Sequence, residues 1–503
     1  MDFFGWLLGT ADGKASYVLT RWVFLRALGV IYLIAFVSLW VQIRGLIGSQ
    51  GILPAQQYLH AVEGYVGGVA RYRFAPTVLW LGAGDGALHI VCGLGALCAV
   101  LLICDVAPVP CLALLWALYL SLAAVGQDFL AFQWDVLLLE TGLLAILFAP
   151  GHLLPGRGVQ AAVSPVALCL LWWLLFRLTF QSGIVKLTSG DPTWRNLTAL
   201  DFHFWSQPLP TWTAWYVALL PAWVKKLMVV GTYVFEIGFP FLVFAPRTAR
   251  LVGCAGMVFF QLLILATGNY NFFNLLTIAL ALLLLDDGVW ASVLPARLLH
   301  ALSTAPVTVG AGLGPVGVVR GTVAAFILVV SLVKFWHSFF PYAGYPRPIV
   351  RALAWVEPFR SVNNYGLFRV MTTERPEIVI EGSDDGTTWR AYEFPYKPGD
   401  PLRRPAFVEP HQPRLDWQMW FAALSRYETT PWFHNLLARL LQGSPPVLAL
   451  LRTNPFPDHP PKYVRAQLYD YRFTGWAERR RSGAWWSRAP LGAYSPAVSL
   501  TAP

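Results

Sequence analysis

The chain has 503 residues, of which 56% are hydrophobic and only 13% are charged, and its mean hydropathy is +0.53. Soluble globular proteins carry about 25% charged residues, so this composition excludes an ordinary soluble protein and indicates a multi-pass integral membrane protein. The net charge of +10 comes from scattered Lys and Arg residues with no nucleic-acid-reading motif beside them. We therefore expect contact with membrane lipid and no binding of nucleic acid.

Apolar segments recur along the first 335 residues and predict about nine membrane-spanning helices. Several are nearer 15 residues than the roughly 20 that a crossing requires, so re-entrant segments remain an alternative. The expected fold class is a polytopic α-helical membrane bundle followed by a small soluble α+β domain. The predicted segments are 22–41, 78–104, 110–125, 132–149, 163–186, 228–245, 251–267, 272–285 and 319–335.

Positive charge around the first span predicts a cytoplasmic N-terminus, because Lys14, Arg21 and Arg26 precede or open it. This span has no small-residue cleavage site after it, so we expect an uncleaved signal anchor. An odd number of spans then places everything after Trp336 outside. We predict a transmembrane domain at 1–338, with structured loops at 42–77 and 188–227, and a lumenal or periplasmic domain at 339–503.

The composition shifts near Pro341, where apolar runs stop and Pro and charged residues become frequent. Two alternating stretches, 377–381 and 388–394, flank Asp384-Asp385-Gly386 and predict a β-hairpin. Helical spacing of apolar residues predicts helices at 414–427 and 431–443. One or two further strands are expected in the aromatic-rich last 50 residues.

The six cysteines indicate neither a disulfide framework nor a metal site. All of them fall in apolar segments, none lies in the last 249 residues, and no CxxC or Cys/His spacing of the zinc type is present. We therefore predict no metal and no cofactor. The cysteines are Cys92, Cys98, Cys104, Cys111, Cys169 and Cys254.

The densest polar stretch, residues 176–210, directly follows an apolar helix. Ionisable groups at that depth are costly unless they face a protein interior or a wet cavity. Helical spacing puts Thr179, Ser182 and Lys186 on one face and Arg177 and Gln181 on another. A desolvated Lys186 is a candidate catalytic base, although a lysine at this position could also extend to the membrane interface.

Other polar residues within the apolar segments complete a predicted membrane cluster. Asp85 and His89, four residues apart, could build half a metal site or simply bond to each other across a helix interface. Glu140 stands in an apolar run and needs a cationic partner, for which Arg177 and Lys186 are the candidates. The predicted cluster is Asp85, His89, Asp135, Glu140, Arg177 and Lys186, and the loop candidates are Trp194, Arg195, Asp201 and His203.

Several long blocks, in matching order, closely resemble the lipase maturation factor family, from about residue 15 to 497. They include FQWDVLLLETGLLAILFAP, FRLTFQSGIVKLTSGDPTWRNLTALDFHFWSQPLP, NNYGLFRVMTTERPEIVIEGS and NPFPDHPPKYVR. The resemblance implies a protein that helps secreted lipases fold and assemble and is not itself a lipase. It also implies the endoplasmic reticulum membrane in a eukaryote, or the inner membrane in a bacterium.

The leading functional hypothesis is therefore a chaperone-like maturation factor that binds an incompletely folded, lipase-like secreted client. Binding, rather than bond chemistry, would be its activity. A redox role is not supported by thiols, because the C-terminal domain has no cysteine. Aromatic residues supply much of the energy of protein interfaces, and the client-contact candidates are Trp417, Trp420, Tyr469, Tyr471, Trp485 and Trp486.

An enzyme is the alternative hypothesis. The block GIVKLTSGDPTWRNLTALDF is more weakly similar to the membrane domain of vitamin K-dependent gamma-carboxylases, where a lysine in a comparable setting is the catalytic base. Lys186 is the matching position. This hypothesis requires a cavity that opens to the outer leaflet, holds a lipidic cofactor and is lined by Lys186, Glu140, Asp201 and His203.

Overall fold

The computed structural model describes residues 16–155, 162–303, 315–340 and 344–500, and the part before residue 340 is helical. One of its helices, Ala222–Tyr233, continues as a π-helical turn, Val234–Gly238, and a 3-10 segment, Phe239–Phe244. In chain order the helices are α1 (Val18–Trp40), α2 (Ile43–Ile47), α3 (Ala55–Val66), α4 (Ala70–Phe74), α5 (Asp85–Ile103), α6 (Pro108–Val125), α7 (Gln133–Phe148), α8 (Pro165–Thr188), α9 (Pro192–Arg195), α10 (Ala199–Ser206), α11 (Trp212–Ala218), α12 (Ala222–Tyr233), α13 (Arg247–Thr267), α14 (Phe273–Leu282), α15 (Asp287–Val293), α16 (Ala296–Ser303) and α17 (Pro315–Phe339).

Within the described ranges, seven helices are long and apolar enough to cross a membrane, or eight if the bent pair α14 and α15 counts as one crossing. The predicted number of nine is therefore too high. The seven are Val18–Trp40, Asp85–Ile103, Pro108–Val125, Pro165–Thr188, Ala222–Phe244, Arg247–Thr267 and Gly317–Phe339.

Helix α7 explains part of the difference. Its 16 residues extend about 24 Å, which is shorter than the roughly 30 Å hydrocarbon core of a bilayer. The segment is apolar because protein surrounds it: Leu137, Leu138 and Leu139 are all completely buried. Sequence hydropathy does not distinguish burial in protein from contact with lipid.

The bundle has two polar ends, and α7 connects them. At one end, which we call the opposite end, the Asp105 carboxylate forms an ion pair with Arg26. Its Oδ1 atom lies 2.5 Å from Arg26 Nη2 and 2.9 Å from His152 Nε2. Phe148, the last residue of α7, packs near this end against Phe24 of α1. The other end, the "docking end", is formed by the loops around residues 42–53, 127–135, 191–211 and 268–272, which contact the C-terminal region.

The C-terminal region combines helices with an antiparallel four-stranded sheet of order β2-β1-β3-β4. The strands are β1 (Pro376–Ser383), β2 (Arg390–Ala391), β3 (Tyr463–Phe473) and β4 (Trp486–Val498), and the helices are α18 (Arg347–Val356), α19 (Arg414–Ala423), α20 (Pro431–Leu441), α21 (Pro445–Leu448) and α22 (Trp476–Ser482). The predicted hairpin is confirmed, since β1 pairs with β2 and Gly386 adopts a φ of 75° in the turn. Both predicted helices are present, although the first ends at Ala423.

The C-terminal region is packed against the bundle and is not a loosely tethered domain. All four loops of the docking end hydrogen-bond to it, so their positions relative to the sheet are fixed. The bonds are Arg414 N to Gln42 Oε1 (3.0 Å), Arg439 Nε to Gly51 O (2.8 Å), Arg414 Nη1 to Phe129 O (2.6 Å), Trp420 Nε1 to Ser206 O (2.8 Å) and Asn269 Nδ2 to Ala406 O (2.9 Å).

Candidate functional site

Of the two predicted partners of Glu140, Arg177 forms the ion pair, and the pair has further partners. The Arg177 guanidinium donates to Glu140 Oε1 and to the Asn363 carbonyl, the latter at 2.9 Å. Glu140 Oε2 accepts from the Asn363 amide at 2.9 Å and from the Tyr365 hydroxyl at 2.7 Å. A segment that follows the last span thus enters the bundle and satisfies a buried ion pair between α7 and α8.

Asn363 and Tyr365 were not among the predicted site residues. A buried carboxylate needs several donors, because one cation does not satisfy both of its oxygens. That requirement was a signal in the sequence that further polar partners of Glu140 existed. It did not show which of the many polar residues elsewhere in the chain supplied them.

Asp135 forms a second buried ion pair, with Arg414 of α19. Arg414 Nη2 lies 2.8 Å from Asp135 Oδ1 and Nη1 lies 2.9 Å from Oδ2, a two-pronged contact. The Tyr119 hydroxyl also donates to Asp135 Oδ1, at 2.5 Å. A paired and hydrogen-bonded carboxylate of this kind is a structural element that joins the C-terminal region to the bundle.

A third buried group of charges holds residues 205–208 of the docking end. Arg375 Nη2 lies 2.8 Å from Glu377 Oε1, and Lys397 Nζ lies 2.9 Å from Glu377 Oε2. Arg375 also donates to the carbonyl oxygens of Trp205, at 2.7 Å, and Pro208, at 2.8 Å. These charges therefore have internal partners and are not presented to solvent.

Lys186 pairs with Glu236, a residue that the sequence had not singled out. Its Nζ atom lies 2.6 Å from Glu236 Oε2 and also donates to the Ser182 carbonyl at 2.7 Å. Glu236 lies in the π-helical turn after α12. Gly183 lets that turn approach α8, because a Cβ atom at this position would lie 2.8 Å from the Glu236 Cβ atom.

The Lys186–Glu236 pair borders a largely apolar cavity of about 140 Å³ between α8, α10, α12, α13 and α14. Lys186 and His203 both line it, as the enzyme hypothesis required. Glu140 and Asp201 do not: Glu140 pairs with Arg177, and Asp201 lies 2.7 Å from Lys225 Nζ. The cavity therefore lacks two of the four groups on which that hypothesis depends.

The loop candidates have different environments. Trp194 is buried and donates to the Phe368 carbonyl at 3.0 Å, whereas Arg195 is exposed. Burial and the nearby Lys186 charge lower the pKa of His203 to about 4, so its imidazole is neutral at physiological pH. His203 and Trp194 belong to the cavity, and Arg195 and Asp201 do not.

Asp85 and His89 bind different partners, so they do not form the hydrogen-bonded pair that the sequence suggested. Asp85 Oδ1 accepts from the Ser49 amide at 2.7 Å, and His89 Nδ1 accepts from Trp40 Nε1 at 2.7 Å. Each residue attaches α5 to the end of α1 or to the loop after it. Within the described ranges, no group of three or more His, Cys, Asp or Glu side chains could hold a metal ion.

Five of the six predicted client-contact residues are buried, namely Trp417, Trp420, Tyr471, Trp485 and Trp486, and the sixth, Tyr469, is half-buried. The expectation that these five present a surface to a client is therefore corrected. Their rings pack inside the C-terminal region or against the bundle, as when the Trp417 ring lies 4.8 Å from the Trp134 ring. Composition alone gave no means of separating buried from exposed aromatics.

A different set of aromatic residues is exposed next to the docking end. Trp476 is 49% exposed, Phe407 is 48% exposed and Tyr216 is 40% exposed. The half-buried Trp212 contacts both Tyr216 and Phe407, and Tyr216 contacts Trp476. We call this group the aromatic surface: Trp212, Tyr216, Phe407 and Trp476, with Arg404 over the Trp212 ring.

Comparison with known proteins matches both parts of the chain to one family. The model described as "Lipase maturation factor transmembrane domain" matches residues 19–292, and "Lipase maturation factor C-terminal domain" matches residues 361–496. No solved structure matches the chain significantly.

Curated relatives match over nearly the whole length. Lipase maturation factor 2 of Gallus gallus is 41% identical over 96% of this chain and 82% of its own. Lipase maturation factor 2 of Homo sapiens is 39% identical, with 96% and 83% covered. Lipase maturation factor 1 of Bos taurus is 35% identical, with 96% and 90% covered. The chain therefore belongs to the lipase maturation factor family, as its sequence blocks had suggested.

Proposed function

We propose that this protein is a membrane-anchored maturation factor, which binds an incompletely folded secreted lipase and assists its folding and assembly. One observation carries the proposal: relatives named lipase maturation factor align with 96% of the chain, including both the bundle and the C-terminal region. A function in lipase maturation is what those names have in common.

Binding, and not bond chemistry, is the activity that the geometry favours. Five buried charged residues of the bundle and the C-terminal region, Asp135, Glu140, Arg177, Lys186 and Arg414, are joined in internal ion pairs. By contrast, the aromatic surface exposes Trp, Tyr and Phe side chains close to Arg, and such residues dominate the energetics of protein interfaces. An unfolded client exposes apolar segments, which this surface can contact.

The aromatic surface adjoins the start of a span, since Tyr216 precedes Ala222–Phe244 by a few residues. A client bound there would lie beside the bilayer. We place this end of the bundle in the lumen or periplasm, which agrees with the positive-inside rule for Arg21, Arg26, Arg247 and Arg250 at the opposite end. A protease added to the cytoplasmic face of sealed membranes should then leave residues after 344 intact, and trimming of the C-terminal region would refute this orientation.

The function is tested by the secretion of active lipase from cells that lack their own maturation factor. We expect the unaltered chain to restore secretion, and Trp476→Ala combined with Tyr216→Ala to lower it severalfold at an equal level of the factor. Trp355→Ala is the matched control, because Trp355 is 55% exposed but lies on α18, outside the aromatic surface. Undiminished secretion with the double variant would exclude the aromatic surface, and no restoration by the unaltered chain would exclude the function.

A further inference from the structure

The cavity beside Lys186 has a buried acceptor without a partner. Asn274, on α14, is 1% exposed and donates through Nδ2 to Gln261 Oε1 at 2.8 Å. Its Oδ1 atom has no hydrogen-bond partner among the described residues, and Asn274 is one of the residues that line the cavity. Buried polar atoms are rarely left unpaired, so an acceptor in this position indicates that a donor occupies the cavity.

Hydroxyl groups in the cavity walls also favour a ligand that donates a hydrogen bond. Ser182, Thr232 and Thr277 all donate to carbonyl oxygens of their own helices, at 2.7, 3.0 and 2.9 Å. Each of these hydroxyl oxygens can still accept a hydrogen bond, and all three residues line the cavity. The polar part of the cavity therefore offers acceptors, and a molecule that donates a hydrogen bond fits it best.

The charges in the cavity do not select a charged ligand. Lys186 and Glu236 face each other at 2.6 Å, so their charges offset each other. His203 is neutral, because burial and the nearby Lys186 lower its pKa to about 4. A carboxylate or phosphate would find no free cation here, whereas a neutral hydroxyl would be accommodated.

The cavity opens on a lipid-facing side of the bundle. Leu263 lines it and is 45% exposed, and the neighbouring Leu262 is 53% exposed on the same span. The enclosed volume of about 140 Å³ is similar to that of an apolar cavity known to hold one benzene-sized molecule. Only the polar end of a lipid fits inside, and its apolar chain must leave past the exposed Leu263 of α13 into the bilayer.

We infer that this cavity binds the hydroxyl end of a neutral lipid alcohol, which enters laterally from the membrane and donates a hydrogen bond to Asn274 Oδ1. This site is independent of client binding at the aromatic surface, which lies elsewhere on the protein. The inference therefore stands or falls separately from the proposed function.

The test is photolabelling of the full-length protein in nanodiscs with a long-chain alcohol that carries a diazirine and an alkyne. Unlabelled competitors are the same alcohol, its methyl ether and the matching fatty acid. We expect labelled peptides from α13 and α14, with the alcohol competing about fivefold better than the ether, which has no hydroxyl proton to donate. Asn274→Leu should abolish that difference, and Thr277→Phe, which fills the cavity, should abolish labelling.

Leu262→Ala is the control, because Leu262 faces lipid and does not line the cavity. Equal competition by alcohol and ether, preference for the fatty acid, or labelling spread evenly over lipid-facing residues would each overturn the inference. The last outcome would mean that only water fills the cavity. The competition series uses the unaltered protein, so it decides the matter even if a variant fails to fold.

Discussion

Arg414 of α19 places its Nη2 atom 2.8 Å from Asp135 Oδ1 of α7, and both side chains are almost completely buried. The two residues are 279 positions apart in the chain. Their pairing fixes how the C-terminal region sits on the membrane bundle, because removing charges from water is costly unless they meet in a defined geometry. The docked arrangement is therefore specific and not a general apolar association.

Removing one partner of this pair should be more damaging than removing both. Arg414→Met leaves the Asp135 carboxylate buried without its cation, and we expect a loss of about 3–5 kcal/mol in the free energy of unfolding. Asp135→Leu combined with Arg414→Met should be clearly less destabilising than the single change. Thermal unfolding in detergent measures the stability of each variant. If the destabilisation of the double variant equalled the sum for the two single variants, the expectation would be contradicted.

The contact between α2 and the C-terminal region should tolerate no added methyl group. A Cβ atom on Gly45 would lie 2.3 Å from the Pro446 carbonyl oxygen, so Gly45→Ala is expected to cost roughly 1–3 kcal/mol. Gly64, inside α3, has nothing within 4 Å of such an atom, so Gly64→Ala should stabilise by about 0.5–1 kcal/mol. Unfolding midpoints that move in the same direction for both variants would show that Gly45 does not lie this close to the Pro446 carbonyl oxygen.

Glu409 should make stability fall as pH rises. Burial raises the pKa of its carboxyl group from 4.5 to about 8, and a hydrogen bond from the Tyr270 amide offsets this only in part. The unfolded chain releases this proton near 4.5 and the folded protein only near 8, so the stability gained below pH 4.5 is lost between these values.

Glu409→Gln keeps a neutral side chain at every pH and should flatten that dependence. The unfolding midpoints of both proteins are measured from about pH 5 to about pH 8. The two proteins must be compared with each other because other groups also titrate in this range. A Gln variant whose midpoint falls as steeply as that of the unaltered chain would show that Glu409 is ionised in the fold.

Lys186 should behave as one partner of a structural pair. Lys186→Ala leaves the Glu236 carboxylate without its cation, so we expect a lower level of folded protein in membranes. Adding Glu236→Gln removes the unpaired charge and should recover most of that level. If Lys186→Ala instead accumulated normally and abolished lipase maturation, Lys186 would have a direct functional role.

Sequence reasoning succeeded where local chemistry was decisive. A carboxylate among leucines needs a cation, and this argument limited the partner of Glu140 to Arg177 or Lys186, of which the structure shows Arg177. The β1–β2 hairpin followed from its Asp-Asp-Gly turn. Sequence reasoning did not identify Glu236 as the partner of Lys186. The two residues meet only because a π-helical turn approaches α8 at Gly183.

Long-range packing accounts for the remaining differences. Trp476 and Trp485 are close in sequence and similar in composition, yet one is 49% exposed and the other 6%. Both rings contact Trp215 of α11, with centroids 4.8 Å and 5.7 Å away, but the Arg479 guanidinium also covers the Trp485 ring, 3.5 Å from its centroid. Nothing in the local sequence indicates that α11 would lie there, so the exposed aromatic surface could be found only from the fold.

The most direct test of the account is site-specific photocrosslinking at position 476. The altered chain and a secreted lipase are made together in cells that lack their own maturation factor. A crosslinking amino acid in place of Trp476 should capture newly made lipase, and the yield of adduct should fall when irradiation is delayed until the lipase has become active. The same amino acid in place of the equally exposed Trp355 should capture much less. Equal capture at both positions, or none at 476 while secretion still depends on the factor, would contradict the account.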